Sequence, residues 1–207
     1  MPKKTFMNLS EGKKRAITNG LIKVFDEYGY DKTTVANIVK TCHIPRGSFY
    51  QYFEDKYDAF RYLIDVNQKE KMIYLKPYLD KLGTVSFFDL YVDLIDVGLQ
   101  FAEDRPELVR IWMRFYQTVD RRVDYEWKLF ESMAIDALVD LLEQDAKQGC
   151  SKKKYDKHMV AKMLFRYQSM EILEAFNRGV EKEVIKEEAR KFMHIIRYGV
   201  ESEACYE

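Results

Sequence analysis

Residues 33–53 read TTVANIVKTCHIPRGSFYQYF, and this stretch decides the fold of the N-terminal part of the chain. Thr33 or Thr34 is a good helix N-cap, because its hydroxyl can accept a hydrogen bond from a free backbone N–H of the first turn. The pair Ile44-Pro45 then ends that helix, since a residue before proline avoids helical geometry and proline suits the first turn of a new helix. The stretch therefore predicts two short helices joined by a tight turn.

The second of these helices, which begins at about Pro45, has two chemically different sides. Phe49 and Phe53 lie on its inward side, together with part of Tyr52. Its outward side consists of hydrogen-bonding residues and one glycine: Arg46, Gly47, Ser48, Tyr50 and Gln51. Such a set suits the major groove of DNA, because an arginine can donate two parallel hydrogen bonds to a guanine edge and a glycine lets the backbone approach closely. We therefore expect this helix to read DNA.

Three side chains around this helix are candidates for phosphate contacts. Tyr50 could donate its hydroxyl, Lys56 could neutralise a phosphate, and Thr34 lies at a helix N-terminus, where free N–H groups favour anions. Plainer explanations stay open, with Thr34 acting only as a cap, Tyr52 only as a packing residue and Gln51 only as a solvated side chain.

A further helix precedes the two short ones. Ile17, Leu21 and Phe25 recur at the spacing of one helix face, which predicts a helix over about residues 11–28. Gly29 follows directly and suits a C-terminal cap, where a left-handed backbone costs glycine nothing.

The pattern Thr33-Thr34-Val35-x-x-Ile38, followed by IPRGSFYQYFEDK at residues 44–56, resembles the DNA-binding head of the tetracycline-repressor (TetR) family of transcriptional regulators. The resemblance covers about residues 10–60 and implies three helices that contain a helix-turn-helix. It also implies that a set of positions usually faces DNA: Thr34, Arg46, Ser48, Tyr50, Gln51, Tyr52 and Lys56. We add Gly47 to this set, because it lies on the outward side of the same helix. Repression is the commoner mode of this family, and the sequence leaves open whether the chain represses or activates.

The composition predicts an all-α protein. Of the 207 residues 33% are charged, and nine Gly and four Pro are too few for a chain of short strands and turns. No apolar run is long enough to cross a membrane and no signal sequence is evident, so we expect the protein to stay in the cytoplasm. Residues 1–57 carry eight Lys and two Arg against six acids, a net charge of +4 that suits a phosphate-binding head, although a solvated face would explain it as well.

Beyond the head, periodic apolar segments predict a helical body that binds a ligand and forms a dimer. We place the DNA-binding domain at residues 1–56 and the effector-binding and dimerisation domain at residues 57–207. A long connecting helix should start near residue 56, and the later segments lie at about 86–103, 106–118, 122–147, 154–179 and 182–201.

The last two segments predict the dimer seam. The segment from Met159 to Phe176 is apolar on two faces, which favours burial on two sides, although a single core helix would show the same pattern. In the resembled family the last two helices pair with their copies in a second subunit. A homodimer would place two heads about one duplex turn apart, roughly 34–36 Å, and would read a palindromic operator.

The aromatic residues of the body suggest a small apolar or aromatic effector, whose binding would release DNA as the resemblance implies. For any single one of these residues, plain core packing is the better explanation. The candidates are Tyr91, Trp112, Met113, Tyr116, Phe130, Met133 and Tyr167.

Other functions find little support in the sequence. His43, His158 and His194 belong to no metal or catalytic motif, and Cys42, Cys150 and Cys205 have no metal-ligand spacing, so we expect no enzyme, no metal and no cofactor. The alternative to a regulator is a helical small-molecule-binding or adaptor module whose N-terminal helices merely pack. Only a regulator should bind DNA specifically and lose affinity steeply as salt rises.

Overall fold

A computed structural model describes residues 1–82, 84–115, 117–147 and 155–199 of the chain. Over these residues the regular structure is helical, apart from an isolated bridge between Leu82 and Val85, and the all-α expectation is confirmed. The elements are α1 Lys4–Met7, α2 Glu11–Lys32, α3 Val35–Thr41, α4 Arg46–Tyr52, α5 Lys56–Leu79, α6 Phe87–Asp104, α7 Pro106–Phe115, α8 Arg121–Lys147, α9 Lys157–Arg166, a π-helical turn Tyr167–Ile172, α10 Leu173–Asn177 and α11 Lys182–Tyr198.

The three predicted head helices are α2, α3 and α4. Gly29 has a φ of 67°, so α2 loses helical geometry where the cap was predicted, and one further turn follows it. The hydroxyl of Thr34 accepts a hydrogen bond of 3.2 Å from the backbone N–H of Asn37, which makes Thr34 the N-cap of α3. Pro45 occupies the cap position before α4. The predicted helix-turn-helix is therefore confirmed.

The later helices follow the predicted segments within a few residues, with one addition. A π-helical turn over Tyr167–Ile172 divides the segment predicted at 154–179 into α9 and α10. Such turns carry no sequence signature comparable to a cap, and this one was not predicted.

The chain forms two compact units. The first comprises Met1–Met72 and Ala102–Leu129, and the second comprises Ile73–Phe101 and Phe130–Glu207. This division differs from the domain boundary expected after residue 56, because the first unit also includes most of α5 and all of α7. The expected boundary was placed from the motif alone, which says nothing about what packs against it.

In the first unit, α7 packs along α2 and is held there by arginines. Arg110 donates two parallel hydrogen bonds of 2.7 Å to the carboxylate of Asp26, and Arg114 donates one of 2.6 Å to the Asp26 carbonyl. The rings of Phe60 on α5 and Phe115 on α7 meet with their centroids 5.9 Å apart. The head therefore shares its core with α7 and does not stand alone.

In the second unit, buried polar groups fix α6. The carboxylate of Asp145, which is 3% exposed, accepts a hydrogen bond of 2.7 Å from the Phe87 N–H at the start of α6. The hydroxyl of Tyr91 donates to the Leu164 carbonyl on α9 at 3.0 Å. Both bonds join residues more than fifty positions apart, so they order the packing of α6 with α8 and α9.

None of the described helices combines the length and the apolar character that a bilayer-spanning segment requires. Cys42 is buried, whereas Cys150 and Cys205 lie outside the described residues. His158 and His194 are both exposed, and the ring of His194 lies 4.8 Å from that of Tyr198.

Candidate nucleic-acid interface

The outward side of α4 is presented as the sequence predicted. Arg46, Gly47 and Gln51 are exposed, and Ser48 is half-buried. A Cβ added to Gly47 would meet nothing within 4 Å, so this position faces open space. Thr34, at the start of α3, is exposed as well. These side chains are free to meet a ligand as large as a duplex, and their contacts with DNA stay a prediction.

A buried apolar core lies on the opposite side of α4 from these exposed side chains. Ile38, Phe49 and Phe53 are all 0% exposed, and the rings of Phe49 and Phe53 lie 5.7 Å apart. Aromatic burial of this kind contributes most of the stabilisation of a small core. The predicted division of α4 into an inward and an outward side therefore holds for Phe49, Phe53 and the exposed residues.

The turn between α3 and α4 packs on α2 through a glycine. A Cβ on Gly20 would lie 2.7 Å from the sulfur of Cys42, so no larger residue fits there without a shift. The Cys42 thiol donates to the Ile17 carbonyl at 3.6 Å, and burial raises its pKa to about 12. Cys42 is therefore a protonated core residue, as its place in the predicted apolar stripe indicated.

Arg46 and Tyr50 lie one turn apart on α4 and interact in the absence of DNA. The guanidinium donates a hydrogen bond of 3.4 Å to the Tyr50 hydroxyl, and its carbon lies 5.8 Å from the ring centroid. This bond is long and both residues are exposed, so it costs little to break. The pair orients Arg46 without occupying its hydrogen-bonding capacity.

Two of the predicted DNA-facing residues have internal roles. Tyr52 is 6% exposed and its ring packs edge-on against Phe6, so the packing explanation describes the ring, and a DNA contact stays a prediction for its hydroxyl alone. Lys56 donates a hydrogen bond of 2.9 Å to the Tyr30 carbonyl, and its ammonium lies 4.2 Å from the centre of the Tyr30 ring. The Lys56 charge is therefore already engaged at the end of α2.

The first seven residues, for which the sequence predicted no role, hold the C-terminal end of α4. The backbone N–H of Lys3 donates to the Tyr52 carbonyl at 2.8 Å, and its ammonium donates to the Tyr50 carbonyl at 2.9 Å. Thr5 donates its hydroxyl to the Gln51 carbonyl. These contacts satisfy carbonyls that a helix leaves free at its end, and the lysine charge suits the negative end of the helix dipole.

Phe6 anchors this segment. It is 0% exposed, and its ring lies 4.9 Å from that of Phe53 and 5.0 Å from that of Tyr62. A lone aromatic residue shows no periodicity, so the sequence contained only a weak signal for this anchor.

The opposite end of the head is joined to α8 by polar contacts. Tyr30 donates its hydroxyl to Asp120 at 3.1 Å, and Arg122 donates to Asp55 at 2.6 Å. Burial and the bond to Asp120 raise the pKa of Tyr30. Burial alone would raise the pKa of Asp55, but the bonds from Arg122 and from the N–H of Asp58 outweigh it, and the pKa is lowered. These contacts connect the end of α2 and the segment before α5 to the start of α8.

The predicted effector residues fall into both units. In the first unit, Trp112 is 9% exposed and its ring lies 5.8 Å from that of Trp127, while Met113 is half-buried. Tyr116 lies outside the described residues. The structure gives Trp112 a packing role, which the sequence analysis left open.

In the second unit, three of the predicted effector residues have defined partners. Phe130 lies 6.1 Å from Phe165, the hydroxyl of Tyr91 bonds to the α9 backbone, and Tyr167 stacks on Phe192 at 3.9 Å. Met133 is 63% exposed, and a side chain so open does not fit the wall of an enclosed pocket. The effector contacts of all these residues stay predictions.

Comparison with known sequences identifies the head. Residues 17–63 match the family model described as bacterial regulatory proteins, tetR family. An HTH-type transcriptional repressor of Mycobacterium tuberculosis is 28% identical over 119 residues, which cover 54% of this chain. The match spans 62% of that relative's length.

Comparison with solved structures extends the likeness to the whole fold. A TetR family transcriptional regulator from Chloroflexus aurantiacus aligns with 96% of this chain and 98% of its own, at 23% identity and a TM-score of 0.66. FadR from Bacillus subtilis, solved in complex with stearoyl-CoA, aligns with 90% of this chain and 99% of its own, at 14% identity and a TM-score of 0.71. Residues 17–63 thus match the tetR family of bacterial regulatory proteins, and the described chain shares the fold of these solved regulators.

Proposed function

We propose that this chain is a sequence-specific DNA-binding transcriptional repressor. The observation that carries the proposal is the exposed edge of α4, where Arg46, Gly47 and Gln51 face open space above a fully buried aromatic core. From Thr34 to Phe53 the chain contains no acidic residue, so nothing on this edge repels phosphate. The Mycobacterium tuberculosis relative, which is named as a repressor, supports the mode of action.

The proposal includes a homodimer formed through the last helices. Apolar side chains stand exposed on α9 and the π-helical turn, where Met159 is 55% exposed, Met163 43% and Met170 42%. On α11, Val184 is 45% and Ile195 49% exposed. A row of exposed apolar residues at helical spacing is typical of a surface that a partner covers. A second copy would bury this row and bring two heads to a palindromic operator.

The proposal also includes release of the operator by a small apolar or aromatic effector bound in the helical body. FadR from Bacillus subtilis, which shares the fold, was solved with stearoyl-CoA and supports an apolar ligand for a body of this type. An effector can release DNA only if it binds better to a conformation in which the heads no longer fit the operator. Within the first unit, such a change would reach α4 through the contacts that join the head to α7 and α8.

A fluorescence anisotropy titration with the DNA upstream of the chain's own gene tests the proposal. We expect binding at least about a thousandfold tighter than to unrelated DNA of equal length, with affinity falling steeply as salt rises. Arg46→Ala should reduce the preference, whereas Lys69→Ala, which removes an exposed charge outside α3 and α4, should leave it unchanged. Equal affinity for both DNAs would refute specific recognition of that site.

Sedimentation at micromolar concentration tests the dimer. We expect a dimer for the native chain and a shift toward monomer for Met163→Glu with Ile195→Glu, because both changes place a charge in the proposed seam. Asp124→Lys, a charge change on α8, is the control. A monomeric native chain would contradict this part of the proposal.

A further inference from the structure

The segment at the start of α8 contacts the head on both sides of Lys56. Tyr30, which is 3% exposed, lies at the end of α2 and donates its hydroxyl to Asp120 at 3.1 Å. Asp55 precedes Lys56 in the chain and accepts a hydrogen bond of 2.6 Å from Arg122. The two α8 contacts are also joined to each other, because the backbone N–H of Arg122 donates to the Asp120 carboxylate at 2.9 Å. One short segment therefore holds both neighbours of the Lys56 side chain.

The Lys56 ammonium is oriented without being neutralised. It donates a hydrogen bond of 2.9 Å to the Tyr30 carbonyl and lies 4.2 Å from the centre of the Tyr30 ring. Within the part of the chain that the structure describes, it forms no ion pair. An ammonium has three N–H donors, so two remain for a ligand. A side chain that is already held in one geometry loses less conformational entropy when it binds, so Lys56 is prepared for an anion.

The carboxylate that precedes Lys56 is occupied by Arg122. The guanidinium of Arg122 bonds to Asp55 and lies 4.6 Å from the centre of the Tyr57 ring, so it is held on two sides. The hydroxyl of Tyr57 donates in turn to Glu126 on α8 at 2.7 Å. Asp55 keeps its charge at neutral pH, since its pKa is lowered. Without Arg122 this charge would be free to pair with Lys56 and to repel a phosphate.

We propose that Asp120 and Arg122 are positioning residues for DNA binding. Asp120 holds Tyr30, which orients the Lys56 ammonium toward a phosphate. Arg122 occupies Asp55, which would otherwise compete with DNA for that ammonium. The inference rests on the proposed function, which supplies the phosphate. Both residues act through Lys56 without touching DNA, so they control the affinity for every sequence and leave the base preference unchanged.

A double-mutant cycle in the full-length protein tests the role of Asp120. Tyr30→Phe removes the hydroxyl that Asp120 holds and keeps the buried ring. It should weaken binding by about two- to tenfold on upstream and unrelated DNA alike, which is the cost of ordering one long side chain. In the background of Lys56→Ala the same change should have no effect on affinity. An equal loss in both backgrounds would overturn this role.

A second cycle tests the role of Arg122. Arg122→Met should weaken binding by about tenfold and reduce the slope of log affinity against log salt by about 0.9, because the freed Asp55 carboxylate offsets one phosphate contact. Asp55→Asn should restore most of this loss and should raise the affinity of the native chain much less. If Asp55→Asn raises the affinity equally in both backgrounds, Arg122 contacts DNA itself and the proposal is wrong.

Two further variants control for charge and for folding. Arg121→Met removes the neighbouring exposed arginine, for which the described residues provide no partner, and should leave the salt slope unchanged. Arg122→Lys keeps a positive charge beside Asp55 and should retain most of the native affinity. Chemical denaturation confirms that each variant is folded at the temperature of the titration, so a lost fold is not mistaken for a lost contact.

The use of both DNAs separates this inference from the proposed function. A native chain without sequence preference, in which Tyr30→Phe still acts only through Lys56, would refute the specific repressor and leave the positioning residues intact. A native chain that prefers the upstream DNA, with additive losses in both cycles, would refute the positioning residues alone.

Discussion

The short helix α4 and the aromatic side chains of the second unit differ in how clearly the burial and contacts of their residues indicate a function. On α4, hydrogen-bonding residues such as Arg46 and Gln51 are exposed and Phe49 and Phe53 are buried, so the proposed recognition residues and the packing residues lie on different sides of the helix. In the second unit, Tyr91, Phe130 and Tyr167 all have internal partners, so internal packing is a sufficient explanation for each of them, and their effector contacts stay predictions. Exposed polar residues on a rigid support are therefore a sharper functional signal than aromatic density.

The largest expected effect distinguishes the two regions by their cores. Phe49→Ala removes a fully buried ring from the head and should cost about 3–5 kcal/mol of unfolding free energy together with most DNA binding. Phe87→Ala, which removes a ring 1% exposed in the second unit, should cost about as much stability. Chemical denaturation measures the stability, and anisotropy at low temperature measures the binding.

The contrast fails if the two variants lose DNA affinity equally while still folded. That result would mean that the second unit controls the geometry of α4 as directly as the core of the head does.

Arg46→Ala should weaken binding to the operator by about 1–3 kcal/mol and relax the base preference at one position, if the guanidinium reads a guanine edge. Its effect on stability should be small, because its bond to Tyr50 is exposed and long. A titration against operator variants measures the preference. Uniform loss on every sequence would reassign Arg46 to a phosphate.

Lys56→Ala should weaken binding to all sequences alike and also lower stability by about 1.5 kcal/mol, because the Tyr30 carbonyl loses a charged donor. Comparing the melting temperature with the affinity separates the two contributions. A variant with native stability and lower affinity would show that Lys56 leaves Tyr30 to contact a phosphate.

Thr34→Ala should destabilise the head by about 1 kcal/mol, since the N-cap bond to Asn37 is lost. Thr34→Ser keeps the hydroxyl and should behave like the native chain in thermal melting. A larger loss of DNA affinity than of stability in Thr34→Ala would support a phosphate contact in addition to the cap.

The smallest effect concerns pH. The pKa of Asp55 is lowered from its ordinary 3.8, so the folded head prefers the ionised carboxylate. This contribution is present above pH 3.8 and is lost as the pH falls through the lowered value. Asp55→Asn should therefore show a shallower loss of melting temperature below pH 4 than the native chain does. An identical slope would mean that other carboxylates govern the acid limit.

The head was predictable because its signals are local. The Thr34 cap, the break at Ile44-Pro45 and the glycine at position 29 each act within a few residues, and the structure has all three. Phe6 was missed because its partners, such as Phe53, lie far along the chain and a single aromatic residue has no period. The sequence predicted the helices themselves more securely than it predicted which of their side chains are buried.

The burial of Asn67 on α5 could not be predicted for a related reason. In the sequence Asn67 looks like an ordinary polar residue of a solvated helix, and only the structure shows that it is 5% exposed and that its side-chain oxygen accepts no hydrogen bond. The packing of α7 on α2 could not be predicted either, because the Arg110–Asp26 contact joins residues 84 positions apart.

The contacts between the N-terminal segment and α4 have a consequence for how the head opens. A helix of seven residues is too short to persist by itself in water, so α4 is helical only while its surroundings hold it. Its last carbonyls accept hydrogen bonds from Lys3 and Thr5, which lie in the N-terminal segment. The amide hydrogens of α4 and of residues 4–7 should consequently exchange with solvent as one cooperative unit, with a common opening free energy.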